Sequence, residues 1–281
     1  MASTGPQRAP QAVIEELAPG EPGAPACVVA QAEGFSERRF GGVVRLLGAP
    51  ALDRLVATHV AIAGIGGVGS WAAEALARSG VGTLTLIDMD HVAESNINRQ
   101  VHALESTLGA AKGEAMARRI AEISPGCVVH LVDDFVTAEN VAQILPADSI
   151  VIDAIDQPRA KAAIVSLCAQ REQPLVVCGA AGAVVDGLSL RRGDLAHTRG
   201  DPLLAALRAR LRRSHGFARE LHRPFRIEAL HFSASRRGQS ARAGEAGAAL
   251  ACAGYGSLVT VTAAMGFAAA GIAIEFATGD R

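Results

Sequence analysis

A glycine loop, a set of aspartates and two isolated cations define the chemistry this chain can perform. The loop is Gly64-Ile-Gly66-Gly67-Val-Gly69, and Asp88 lies beyond it. That spacing is close to the roughly 20 residues expected between a phosphate-binding turn and a ribose-binding acid. Gly64, Gly66, Gly67 and Gly69 let the backbone approach a nucleotide and free the N–H groups of the next helix start for phosphate oxygens. A carboxylate such as Asp88 accepts two ribose hydroxyls at once. Many nicotinamide and flavin enzymes carry this much. The distinctive residues follow: Asp88-Met-Asp90, then Ser95-Asn96-Ile97-Asn98-Arg99-Gln100, then Lys112, then Asp153 and Asp156. An oxidoreductase has no use for an Arg and a Lys aimed at phosphates. Splitting a nucleoside triphosphate does, because charge builds on the phosphate oxygens as the bond breaks. The constellation points to ATP rather than NAD.

Arg99 suits this task because its planar fork binds phosphate oxygens in pairs. Lys112 stands out by composition: of 27 basic side chains only Lys112 and Lys161 are lysine. Asp156 sits just past an apolar run, where open α/β sheets collect ligands. Asp153, nearer the run, reads equally as a strand-end residue packed internally. Asp90 reads either as a support for the ribose acid or as a surface cap.

The elements that must hold these residues alternate. Val60–Ala63 is an apolar run before the glycine loop, Ser70–Arg78 is an Ala-rich amphipathic helix, and Thr83–Ile87 is a second run ending at Asp88. A helix ends at Ile123, before Pro125, and further apolar runs follow at 128–132, 150–154 and 175–178, with helices at 138–144 and 156–169 between them. Alternating strands and helices predict an α/β fold with a doubly wound, Rossmann-like parallel sheet. Phe35–Val56 predicts a helical lead-in broken by a turn at Phe40-Gly41-Gly42. Leu203–Arg213 predicts an arginine-rich helix, and 230–247 a basic loop.

The chain has 281 residues and a net charge of −1. Residues 1–33, rich in Pro, Gly, Ala, Gln and Glu without periodicity, predict a disordered tail, and no positive start precedes an apolar stretch as in a signal peptide. Residues 34–180 form the expected nucleotide-binding core, and 181–281 a basic, substrate-facing extension with an apolar helix packed on the core. Thirteen arginines between 191 and 242 face four acids. Such a band is either a solvated helix face or the footprint of a nucleic-acid binder, with Arg208, Arg210, Arg212 and Arg213 at its centre. Residues 246–274 carry no charge. They are dominated by small residues and predict a helix buried in the protein, with a membrane span as the lesser alternative. The five cysteines (27, 127, 168, 178 and 252) never form CxxC pairs. This argues against a structural zinc site and a disulfide framework, and for the reducing cytoplasm.

Taken together, glycine loop, Asp-x-Asp, S-N-x-x-R-Q, Lys and a later strand-end Asp resemble the E1-like, or ThiF-type, adenylating enzymes. The resemblance covers roughly residues 35–275. It implies that Asn96, Arg99, Gln100 and Lys112 reach the triphosphate, that Arg99 crosses to a neighbouring subunit in a homodimer, and that Asp156 binds magnesium. Within that fold family, RFGGVVRLLG (39–48), GIGGVGSWAAEALARSGVG (64–82), NRQVHAL (98–104), VDDFVTAENV (132–141), DLAHTRGDPLLAALRARLR (194–212) and Cys252-Ala-Gly-Tyr-Gly256 resemble the bacterial tRNA threonylcarbamoyladenosine dehydratases. The resemblance implies that ATP activates the carboxylate of threonylcarbamoyladenosine 37 in tRNA and that the adenylate closes on itself with loss of water. It implies tRNA, not DNA, as the nucleic-acid partner. His197 and Asp201 become candidates for the substrate channel or a monovalent-cation site, Cys252 for a thiol that takes sulfur from a partner protein, or else for core packing. The second reading is an adenylyltransferase for the C-terminus of a sulfur-carrier or ubiquitin-like protein, against which the missing zinc cysteines and the arginine band count. A nicotinamide-dependent oxidoreductase is the remote third, since Arg99, Lys112 and Asp156 would then share no purpose.

Overall fold

The computed structural model describes residues 26–28, 37–233, 236 and 256–279. Among these, one eight-stranded sheet organises the chain: β1 (Ala26–Val28), β2 (His59–Ala63), β3 (Thr83–Ile87), β4 (Val128–Val132), β5 (Ile150–Asp153), β6 (Leu175–Cys178), β7 (Leu190–Asp194) and β8 (Glu228–Phe232). Their order is β1-β4-β3-β2-β5-β6-β8-β7. The six inner strands pair in parallel, while β1 and β7 close the edges antiparallel to β4 and β8. The chain winds outward from β2 through β3 to β4, then returns to the other side of β2 through β5, β6 and β8. The reversal between β2 and β5 is the point where such sheets leave a crevice at the carboxyl ends of their strands. The glycine loop leaves β2 there, and the segment bearing Asp156 leaves β5.

Strand side chains alternate between two cores, as the two-residue period requires. Val60, Ile62, Leu84, Leu86 and Ile152 pack under α3 (Gly69–Arg78), α4 (Lys112–Ile123) and α8 (Val259–Thr278). Ala61, Ala63, Ile87, Val151 and Val177 pack under α5 (Val141–Ile144), α6 (Pro158–Arg171) and α7 (Pro202–Ser214). The helix α8, whose only charged residue is Glu275 in its last turn, lies across α3, and glycine makes the crossing possible. A Cβ on Gly266 would fall 2.5 Å from the Val68 carbonyl oxygen and 2.8 Å from the Trp71 Cβ. The next residue, Phe267, meets the Trp71 ring edge-on at 5.7 Å.

Three expectations change. Residues 26–28, inside the segment read as disordered, form β1 against β4, because the short run Ala26-Cys27-Val28 suits a strand although the tail's average composition does not. The rest of that tail lies outside the described residues. Gly41 and Gly42 lie within a continuous helix, α1 (Glu37–Leu47), since Phe40, 2 % exposed, anchors that helix to the core. The break falls at Gly48, φ +87°, before α2 (Ala49–Ala57). The basic loop expected from residue 230 begins instead as β8, whose Ala229, Leu230 and Phe232 are buried between β6 and β7. The region beyond 181 adds β7 and β8 to the same sheet, with α7 and α8 on its two faces.

Candidate active site

The glycine loop is fixed by close approaches that only glycine allows. Gly64 has φ +86°, and a Cβ there would meet the Ala154 carbonyl at 3.1 Å and the Ile155 nitrogen at 3.2 Å. A Cβ on Gly69 would overlap the Gly64 carbonyl oxygen at 1.9 Å. Gly66 is different, because a Cβ there would meet nothing within 4 Å. Its surroundings are open space at the start of α3, a helix that no side chain caps. Uncapped N–H groups at a helix start, reached across a Cβ-free loop, favour a phosphate.

Asp88 closes this corner. Its Oδ2 accepts the Ile65 N–H at 2.6 Å and its Oδ1 accepts the Asp90 N–H at 2.9 Å. Burial pushes the carboxyl above its usual range, opposed by Lys112 and by those two N–H donors. One lone pair on each oxygen stays available for a ribose hydroxyl. A cleft of about 630 Å³ opens beside Asp88, with Gly113, Glu114, Leu131, Val132 and Asp133 among its walls.

The segment 95–100 folds over the loop. The Asn96 carbonyl accepts the N–H groups of Arg99 and Gln100 at 3.0 Å, and its Oδ1 accepts the Ala93 N–H at 3.1 Å. The Arg99 stem lies against Gly67, so a Cβ there would sit 3.3 Å from the Arg99 Cδ. Its guanidinium donates to the Ser95 carbonyl at 2.6 Å and the Asn98 Oδ1 at 2.9 Å. The Arg99 stem thus rests on the glycine loop of its own chain, with its guanidinium partly exposed. Its carbonyl is held by the Trp71 Nε1 at 2.9 Å and the Thr262 hydroxyl at 3.3 Å, two positioning contacts that sequence reasoning missed. No local spacing links positions so far apart. Gln100 is buried, and its Oε1 has no partner among the described residues.

Lys112 opens α4, and its Nζ lies 2.7 Å from the Asp90 Oδ2. This settles Asp90 as the partner of the lysine. The pair sits at the rim, with the Asp90 side chain 57 % exposed. Asp156 is exposed in the turn after β5. Asp153 is not: it packs internally at 0 % exposure against Lys161, with the Lys161 Nζ 2.9 Å from its Oδ1. The rarity of lysine in this chain was the available signal for Lys161.

The arginine band divides by orientation. Arg208 turns inward to the Thr198 hydroxyl, and burial lowers its pKa. Arg212 donates to the Ala218 carbonyl at 3.1 Å and lies 5.0 Å over the Phe225 ring. Arg210 is partly exposed and Arg213 is exposed. Asp201, 2 % exposed, caps α7 through the Leu204 N–H at 2.9 Å and pairs with Arg236 at 3.1 Å, so it lines no channel. His197 is exposed. Cys127, Cys168 and Cys178 are buried, and burial pushes their thiols up to about 12. Cys252 and the motif around Tyr255, with Arg237 and Arg242, lie outside the described residues, as does the Cys27 side chain.

Residues 41–281 match the model of the ThiF family. The chain belongs to the ThiF family. Among its relatives it is 46 % identical over 248 residues to the tRNA threonylcarbamoyladenosine dehydratase of Escherichia coli (strain K12), covering 85 % of this chain and 92 % of the relative. The crystal structure of the E. coli tRNA N6-threonylcarbamoyladenosine dehydratase in complex with ATP superposes with a TM-score of 0.78 at 42 % identity, covering 87 % of this chain and 95 % of that one. The same enzyme in complex with AMP gives a TM-score of 0.79 at 43 % identity, with the same coverage. The likeness to these ThiF-family members therefore extends past the nucleotide-binding half through β7, α7, β8 and α8.

Proposed function

We propose that this protein is an ATP-dependent tRNA threonylcarbamoyladenosine dehydratase. The carboxylate of the modified adenosine attacks the α-phosphorus of ATP, the bond to pyrophosphate breaks, and an acyl-adenylate forms. The carbamoyl group of the same modification then attacks the activated carbonyl carbon. AMP leaves with the former carboxylate oxygen, a proton is lost, and the sum is removal of one water. Ring closure within one substrate needs no enzyme nucleophile, because proximity supplies the second step. This suits a site whose described thiols are buried and hard to ionise. Those thiols also offer no ready acceptor for a sulfur-transfer partner. The observation that carries the reading is end-to-end likeness to a dehydratase, 92 % of whose length this chain covers.

The geometry supports the following division of work. Gly66 and the uncapped start of α3 receive the phosphates, Asp88 holds the ribose, and the cleft beside it takes the base. Arg99 and Lys112, both within this corner, neutralise the phosphate charge, with Lys112 exchanging Asp90 for the nucleotide; Asn96 and Gln100 shape the turn that aims Arg99. Among the described residues no group of three or more His, Cys, Asp or Glu could hold a metal. That fits magnesium, which is commonly bound through one or two carboxylates and substrate phosphates rather than an all-protein cage. Asp156, exposed in the turn after β5, would be the carboxylate that holds it, and the ion would supply charge neutralisation between phosphates. A second copy of the chain has a surface to bind: Ile97, Leu258, Val259 and Phe267 are exposed by 39–49 % around the Arg99 segment.

Nucleoside mass spectrometry tests the reaction. Incubation of threonylcarbamoyladenosine-bearing tRNA with the protein, ATP and magnesium, without amines, should yield a nucleoside lighter by one water. No change with intact ATP binding would move the assignment to a protein-tail adenylyltransferase.

A further inference from the structure

We propose that the buried Asp153–Lys161 pair is a positioning device that sets the turn carrying Asp156 and, through that turn, the glycine loop. The proposal rests on the reading of these two segments as the nucleotide site.

Both side chains are at 0 % exposure, at the end of β5 and in the first turns of α6. The Lys161 ammonium makes two contacts with one residue, 2.9 Å to the Asp153 carboxylate and 3.1 Å to the Asp153 carbonyl oxygen. The Asp153 Oδ1 that it touches also accepts the Ile155 N–H at 3.2 Å. At the far side of the turn, the Lys161 N–H donates to the Gln157 carbonyl at 3.0 Å. The turn 154–157, with Asp156 inside it, is thus held at the β5 end by the two side chains and at the α6 end by a main-chain bond. The turn is coupled to the other wall of the crevice as well. The Ala154 N–H donates to the Ala63 carbonyl at 2.9 Å, and Gly64 approaches Ala154 and Ile155 so closely that a Cβ would meet them at 3.1–3.2 Å.

Stability alone is a poor reason for such a pair. Removing two charges from water costs several kcal/mol, and well-packed apolar residues of similar volume are often as stabilising or more so. One carboxylate oxygen, Oδ2, is buried without a partner among the described residues, so the arrangement is not even fully satisfied. What the pair provides, and apolar residues cannot, is directional side-chain hydrogen bonds to two backbone groups at the strand end, the Asp153 carbonyl and the Ile155 N–H. Those bonds decide where the Asp156 carboxylate stands relative to the phosphates.

The test removes both charges together. The variant Asp153→Leu/Lys161→Met should keep its unfolding midpoint within a few degrees of the parent, yet its kcat should fall about 100-fold, the cost of misplacing a catalytic group by about 1 Å. Amide exchange at Ile155 should accelerate in the same variant. A folded double variant with the parental kcat would overturn the proposal. If the double variant does not fold, Asp153→Asn takes its place, since its oxygen still accepts the Ile155 N–H. Its kcat per folded molecule should drop while the KM for ATP stays within about twofold. A lowered midpoint with unchanged kcat per folded molecule is what a merely structural pair would give, and would overturn the proposal. Asp156→Ala is measured alongside: full activity there would mean that the site reading itself, rather than the pair, has failed.

Discussion

Two lysine–aspartate pairs flank the crevice, and they differ in almost everything but chemistry. Lys112 and Asp90 meet at 2.7 Å on a rim where the aspartate is mostly in water. Lys161 and Asp153 meet at 2.9 Å with no solvent at all. In water the attraction is screened and the lysine can be given up to a better anion at small cost. In the interior neither charge can leave without stranding the other. One pair is therefore suited to exchange partners when a nucleotide arrives, and the other to stay put while it does. Both lysines are buried, Lys112 at 8 % side-chain exposure and Lys161 at 0 %, so the same two residue types serve as a movable charge and as a fixed joint according to whether the aspartate is exposed.

The sharpest way to break this comparison is Lys161→Met, which leaves an unpaired carboxylate at 0 % exposure. Unfolding free energy in denaturant should fall by about 3–5 kcal/mol. A loss no larger than that of a surface pair would erase the distinction. Next comes Lys112→Ala. Its removal should cost less stability than Lys161→Met, because the exposed Asp90 leaves no charge buried without a partner. Turnover should fall about 100-fold or more, as expected when a charge aimed at the developing phosphate charge is lost. Steady-state kinetics with calorimetric unfolding reads both, and a stable, fully active variant would take Lys112 out of the site. The smallest effect belongs to the arginine band, which divides along the same line. Reversing the outward residues, Arg210→Glu with Arg213→Glu, should weaken tRNA binding and shallow its salt dependence by about one unit of slope for each phosphate no longer neutralised. Stability should stay within about 0.5 kcal/mol. Unchanged binding across a salt titration would assign those arginines to a solvated face.

Much of the nucleotide corner was legible in the residues. β2, the glycine loop, α3, β3 and Asp88 are joined by short connections, and their periods and turn residues act over a few positions. Asn96, Arg99, Gln100 and Lys112 follow within the same stretch, so proximity in sequence nearly guarantees proximity in space. Outside it the reading weakened for identifiable reasons. Glu228-Ala-Leu-His-Phe232 is buried at its last four positions, as an inner strand is, but it lacks the alternation of a half-buried strand and sits in a basic stretch. Gly41 and Gly42 looked like a turn because intrinsic propensity disfavours glycine in helices, whereas burial of Phe40 overrides it.

By itself, then, the sequence determined the doubly wound class, the place of the phosphate loop and the set of charged groups that could serve ATP, because each is written in local period or spacing. Only the tertiary structure decided which of those charges face solvent. It placed Arg99 on its own glycine loop through Trp71 and Thr262, turned Arg208 and Arg212 inward while leaving Arg213 outside, and buried Asp153 while exposing Asp156 three residues on. Charge is a property of a residue, but its availability depends on what packs over it, and that is supplied by elements distant in the chain.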